Sequence, residues 1–208
     1  EREHYQRAIQ ALGLPVEDLP CQHPFEGEAD FFPVADPSSR DPEKKVYLFT
    51  HGPIEERKWS LMLRFPPYRR RYGFRSSEAV LPVLQSIVGG QEIIPLQLRD
   101  PAHYHGDTVL CTFGPKEELL LGYLEGLSAD SAQILTHRFK ERLIPLRSSD
   151  GRAFAANSFQ ISVSHGAGTV PVLVMPDGLT EGLYNQVRHR GVIPCPVDVS
   201  EFLEKGGG

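Results

Sequence analysis

Between positions 57 and 65 the side chains Trp59, Leu61, Leu63 and Phe65 recur at every second residue. Lys58, Ser60 and Arg64 point the other way, and Met62 alone breaks the pattern. A period of two puts one face of a strand in a core and the other in solvent, so this stretch is a strand and the fold must contain a sheet. Upstream, residues 46–50 (VYLFT) form a second short apolar and β-branched run. His51-Gly52-Pro53 breaks it, and Ile54-Glu55-Glu56 fills the connection. Two such runs joined by a short link predict an antiparallel hairpin.

The hairpin empties into a basic, aromatic stretch containing Tyr68, Arg69, Arg70, Arg71, Tyr72 and Arg75. Guanidinium forks bind phosphate or carboxylate in pairs, and interleaved aromatics stack on bases, so these six residues are the candidate binding surface. The same stretch also reads as a solvated loop whose arginines pair with acidic residues elsewhere. A formal net charge of −5 argues against a surface wholly given to nucleic acid and leaves only a local patch.

Elsewhere the pattern alternates between helix and strand. A short helix is expected over 3–14, and a proline-rich but aromatic arm over 15–45. A helix follows over 79–88, opened by Ser76 or Ser77 and stopped by Gly89-Gly90. Strands are expected at 93–98 and 108–113, and 119–127 reads as a strand or as a helix opened by Lys116-Glu117-Glu118, with Gly122 and Gly126 favouring the strand. Residues 130–142 read as a helix, although 131–139 (SAQILTHRF) also suits a strand, and a second hairpin joins 143–146 to 152–164. The run 169–175 reads as a buried strand. The helix after Asp177 carries Leu179, Leu183 and Val187, and the strand 192–197 completes a strand–helix–strand unit. No internal repeat is visible. The fold class this predicts is α+β, with a mixed, mainly antiparallel sheet and two or three packed helices. It divides into an arm (1–45) and a domain (46–205).

Three cysteines far apart, Cys21, Cys111 and Cys195, give neither a disulfide framework nor a zinc knuckle, and suit a reducing, cytoplasmic setting. No apolar run approaches the roughly 18 residues of a membrane-spanning helix. The catalytic candidates are few. His103 and His105, in HYH before Gly106-Asp107, present two imidazoles and a carboxylate, and a metal site would draw further on His51 and His165. Hydroxyl–histidine neighbours at Thr50-His51 and Ser164-His165 do not make a triad, because adjacent residues on a strand point apart. No phosphate-binding fingerprint and no nucleophile elbow occur, and no cofactor is expected.

The order of features resembles the suppressor-of-fused domain family over about residues 46–164. A strand ends in glycine (VYLFTHG), a strand ends LMLRFP, and a helix (EAVLPVLQSIV) precedes a Gly-Asp-led strand (HGDTVL). An Asp-Gly turn then leads into a strand (SSDGRAFAANSFQISV). That resemblance implies an α+β interaction module without enzymatic activity, which binds partner proteins in regulatory or immunity settings. The C-terminal strand–helix–strand and the basic stretch depart from the family's pattern. The expected function is therefore a non-catalytic protein-binding domain. A metal-dependent hydrolase or nuclease using His103, His105 and Asp107 is one alternative, and nucleic-acid binding through residues 68–75 is another.

Overall fold

The structure is a computed structural model and describes residues 2–16, 19–41, 43–59, 68–166 and 168–201. The chain begins with helix α1 (Arg2–Ala11), followed by strands β1 (Phe31–Ala35) and β2 (Lys45–His51). Strands β3 (Ile54–Trp59) and β4 (Tyr68–Gly73) precede helix α2 (Leu81–Ile87) and strand β5 (Ile93–Gln97). Next come β6 (Leu110–Phe113), β7 (Leu119–Gly122), α3 (Ala129–Phe139) and β8 (Leu143–Pro145). The chain then runs through α4 (Ser148–Arg152), β9 (Phe159–His165), β10 (Gly168–Pro176), α5 (Glu181–His189) and β11 (Ile193–Val197).

The fold class is α+β with mixed sheets, and among the described residues the strands fall into separate small sheets. Three three-stranded sheets have the orders β1-β2-β5, β6-β7-β8 and β9-β10-β11, and β3-β4 form a separate ribbon. Each three-stranded sheet follows one plan. Its first strand is antiparallel to the central second strand, and a helix then carries the chain to a third strand parallel to the second. Among the described residues, 31–197 thus contain three strand–strand–helix–strand repeats, with the ribbon inserted in the first. Nothing in the sequence announces this, because the repeats share an alternation of periods rather than residues.

Two predicted hairpins are corrected. Strand β3 pairs with β4, not with β2, which lies between β1 and β5. Residues 143–146 pair with β7 in parallel, and 148–152 form helix α4 rather than a turn. Of the alternating residues, Leu61, Leu63 and Phe65 lie outside the described residues. The strand–helix–strand at the C-terminal end is as expected, with β10 and β11 parallel around α5.

One apolar cluster joins the three repeats. Val34, Val46, Leu48 and Leu96 of the first meet Leu120, Leu121, Leu135 and Ile144 of the second, and Leu173, Leu183 and Val187 of the third. Strand β1 contacts β6 and β7, and β6 contacts β9, so the first strands of the repeats line up along one side. Ser128 caps α3 by accepting the Ser131 N–H, and α3 lies between the first and second sheets, in contact with β5 and β8. Among the described residues no helix is long and apolar enough to cross a membrane.

Candidate active site

A cluster of buried polar groups gathers at Asp30, which ends a 3₁₀ turn (Gly27–Ala29) just before β1 and is fully buried. A carboxylate taken out of water must have its lone pairs filled. Here the hydroxyl of Thr50 on β2 donates to Oδ1 at 2.8 Å, and the backbone N–H of Gly106 donates to the same oxygen at 2.7 Å. The hydroxyl of Ser76, in the loop after the ribbon, donates to Oδ2 at 2.6 Å and itself accepts the Glu26 N–H at 3.1 Å. Gly106 must stay a glycine, because a Cβ there would collide with the Thr50 side chain.

His105 immediately precedes the 3₁₀ turn Gly106–Thr108, and its Nδ1 stands 3.6 Å from Asp30 Oδ2. That separation is an ion pair rather than a hydrogen bond. The Asp30 carboxylate holds the imidazole's pKa above its ordinary value, against the opposing effect of burial, with Asp107 and Glu26 adding to the attraction. Burial pushes the Asp107 carboxyl upward, offset in part by His105 and a contact from Asn157, and its Oδ1 is buried with no hydrogen-bond partner. Asp107 also lines a cavity of about 460 Å³ together with Glu28, Glu117, Phe32 and Phe159. Next to His105, Tyr104 takes the Arg75 guanidinium over its ring at 5.1 Å.

These groups can move a proton and hold a cation. An imidazole paired with a buried, fully bonded carboxylate is fixed in orientation, and the pairing favours its protonated form. Around it stand Asp30, Asp107 and Glu26, an excess of negative charge in a shielded setting. A planar cation with paired N–H donors would fill the empty valence at Asp107 Oδ1.

Of the sequence candidates, His105 and Asp107 are therefore brought together, but His103 is not. It is buried between Tyr123 (5.0 Å) and Phe154 (4.7 Å), and burial lowers its pKa. His51 stacks on Phe49 at 5.7 Å, and burial likewise depresses its pKa. The side chain of His165, at the end of β9, lies outside the described residues. Among the described residues no three His, Cys, Asp or Glu side chains are placed to hold a metal. The stretch 68–75 is mostly strand β4 rather than a loop. The side chains of Tyr68, Arg69, Arg70, Arg71 and Tyr72 lie outside the described residues, and Arg75 is exposed. Cys111, in the cavity wall, donates its thiol to the Ser158 carbonyl, and burial pushes that thiol up to about 12, which leaves it no thiolate character.

Sequence reading missed Glu26, Asp30, Thr50 and Ser76. One signal was present: an aspartate set directly against the apolar run 31–35 has to be buried with partners. Those partners are distant in sequence, and only the packed repeats bring them in.

Comparison with described protein families finds no match. The chain is 31% identical over 138 residues to an N(G),N(G)-dimethylarginine dimethylaminohydrolase of Mycobacterium tuberculosis. The match spans 66% of this chain but 41% of that protein. The N-terminal domain of ArgZ, a cyanobacterial arginine dihydrolase, matches the whole chain and 62% of its own length in its substrate-bound form, with a TM-score of 0.69 at 23% identity. A form of it covalently bonded to a reaction intermediate gives 0.70 at 23%. AgrE in its complex with ornithine and NAD+ gives 0.68 at 22%, over 25% of that chain. At these identities the likeness to the solved structures is one of fold. The chain spans less than two thirds of the length of each of these proteins.

These findings overturn the resemblance to the suppressor-of-fused family, whose quoted motifs are strand ends and turns common to many sheet proteins. They equally overturn the non-catalytic, protein-binding and regulatory reading, because the similar proteins are hydrolytic enzymes seen with substrate and intermediate. Neither the metal-dependent nuclease or hydrolase nor the nucleic-acid module finds a counterpart among them.

Proposed function

We propose that this chain forms the substrate-holding wall and the proton-transfer pair of an enzyme that hydrolyses a C–N bond of a guanidinium group, with arginine or a methylated arginine as substrate. The observation that carries this reading is the buried, unpaired Asp107 Oδ1 beside the His105–Asp30 pair, on a fold shared with an arginine dihydrolase. Asp107 would accept from the guanidinium N–H groups, neutralising its own desolvated charge. A bond from an attacking nucleophile to the guanidinium carbon would form first; His105 would then give its proton to the amine that leaves as the C–N bond breaks and regain one from the water whose oxygen ends on that carbon, so the imidazole ends as it began. Asp30, held by Thr50, Ser76 and Gly106, would stabilise the imidazolium and fix its orientation. Where the reaction passes through a covalent intermediate, Cys111 is unsuited to be the nucleophile. Three free cysteines fit a reducing, cytoplasmic location.

The test is calorimetric titration of the purified protein with L-arginine and with dimethylarginine, alongside measurement of ammonia or dimethylamine release. Binding of either that is lost in Asp107→Asn supports the reading. A folded protein that neither binds nor turns over either compound overturns it.

A further inference from the structure

Helix α3 ends on a lysine where the other repeat helices run into glycine. Lys140, directly after Phe139, has φ 46° and ψ −122°, a backbone conformation that residues with a Cβ rarely adopt. Helices α2 and α5 are followed within two residues by glycines at positive φ, Gly89 and Gly191. Glycine would take the α3 position without strain. A lysine there, with its backbone strained, points to a use for its side chain.

Lys140 lines a cavity of about 350 Å³ with His137, Arg138, Glu141 and Arg142, closed from the β1 side by Ser38. This cavity shares no lining residue with the one beside Asp107. His137 and Arg138 sit in the last turn of α3, where positive charge suits the helix dipole. Lys140 and Arg142 lie beyond it, in a 3₁₀ turn, and the dipole does not account for them. Among the described residues neither makes an ion pair or a hydrogen bond through its side chain. The carboxylate in the lining, Glu141, is exposed and pairs with neither, while its carbonyl draws in a further guanidinium, that of Arg190. Arg138 is the fixed member. Its Nη2 donates to Glu92 at 2.6 Å and to Asp36 at 3.3 Å, and its Nε is buried with no hydrogen-bond partner. A buried donor without an acceptor is costly, and an oxyanion supplies one.

We propose that this cavity binds a phosphate group, either as the free anion or as the head of a small phosphate ester. Unpaired cations and guanidinium donors around one space suit an anion that carries more than one charge and several acceptor oxygens. A single carboxylate would leave part of that charge unmatched. Lys140 and Arg142 would flank the phosphate, and Arg138, already ordered by Asp36 and Glu92, would offer Nε–H at little further cost in entropy. The volume lies at the small end of ligand sites, which fits one phosphate and a few attached atoms rather than a strand of nucleic acid. A net charge of −5 likewise disfavours a polyanion. The proposal does not depend on the reaction assigned to His105 and Asp107.

The test titrates the 208-residue protein with inorganic phosphate and with glycerol phosphate, against chloride at equal ionic strength, and follows the NMR signals of its eight histidines. Saturable movement of the His137 imidazole with His105 unmoved is the expected result, and the tighter-binding probe tells the free anion from the ester. Arg142→Gln is expected to weaken binding about tenfold. Lys140→Gly separates charge from strain, because it should raise the unfolding midpoint and still weaken phosphate binding roughly threefold. Arg138 is left intact, since its loss would strip Asp36 and Glu92 of their partner. No saturation with phosphate in the tens of millimolar overturns the proposal, as does equal movement of His137 in chloride. Binding that moves His105 instead, or that survives both substitutions, overturns it too, because the anion then sits elsewhere.

Discussion

Asp30 Oδ2 stands 3.6 Å from His105 Nδ1, and no water-exposed surface separates them, because Asp30 is fully buried and the imidazole only 15% exposed. The raised pKa of His105 is a consequence of that contact. Replacing Asp30 by Asn removes the attraction and leaves the burial, so the His105 pKa is expected to fall to or below its ordinary value of about 6.5. NMR titration of the imidazole reads this directly. An unchanged titration would mean that Asp107 and Glu26, not Asp30, set the charge. Asp30→Ala is expected to cost about 3–5 kcal/mol in urea unfolding, because it strands the donors of Thr50, Ser76 and Gly106.

The same pair makes stability depend on pH. The folded state raises the His105 pKa, so its contribution is complete below the unfolded value of about 6.5 and is lost as pH rises through the folded value. Compared with His105→Gln, the wild-type protein should show its advantage on the acid side and lose it toward alkaline pH. Unfolding midpoints in urea from pH 5 to 9 measure the difference. An advantage that grows with pH would refute the assignment.

Asp36 gives the opposite sign. Burial alone would raise its pKa, but the Ser38 hydrogen bonds, Lys44 and Arg138 together bring it down to about 2. Its contribution, on the order of 2 kcal/mol, is present above the unfolded value near 4 and fades as pH falls toward 2. Asp36→Asn should therefore destabilise the protein at neutral pH and match wild type at pH 2, as followed by circular dichroism.

At Gly106 the limit is steric. A methyl group there would overlap the Thr50 side chain, so Gly106→Ala should cost about 1–3 kcal/mol. In the Thr50→Ala background the collision is relieved, and the two changes together should cost less than the sum of their separate effects. A double-mutant cycle in urea that returns simple additivity would show that the loop moves instead.

Guanidinium binding carries its own pH signature. Burial raises the Asp107 pKa, and a cation is bound by its ionised form, so arginine affinity should increase as pH rises through that titration. Asp107→Asn should bind at least tenfold more weakly and lose this acid limb in calorimetry. A persistent acid limb in the variant would assign the titrating group elsewhere.

Much of the fold was legible from periodicity. The helix stopped by Gly89-Gly90, the strand at 93–98 and the C-terminal strand–helix–strand all follow from local pattern, because capping and alternation act over a few residues. Pairing was less legible. The run 46–50 lies beside β1 and β5 rather than its sequence neighbour, since the short link at 51–53 leads into a ribbon that pairs with itself. The site was half legible: His105 and Asp107 lie in one short motif, while Asp30 looked like part of an arm. His103, two residues from His105, has the same chemistry in sequence and a different fate in space, closed between Tyr123 and Phe154.

By itself the sequence determined the α+β class and many of the helices and strands, and it put His105 and Asp107 in one short motif, because those depend on side chains within a turn or two of each other. The tertiary structure alone decided that three dissimilar segments are repeats of one plan. It also decided that Thr50, Ser76 and Gly106 converge on Asp30, and that the His105 pKa is raised while that of His103 is lowered. Burial and the long-range placement of carboxylates decide such matters, and neither is a property of the residue that titrates.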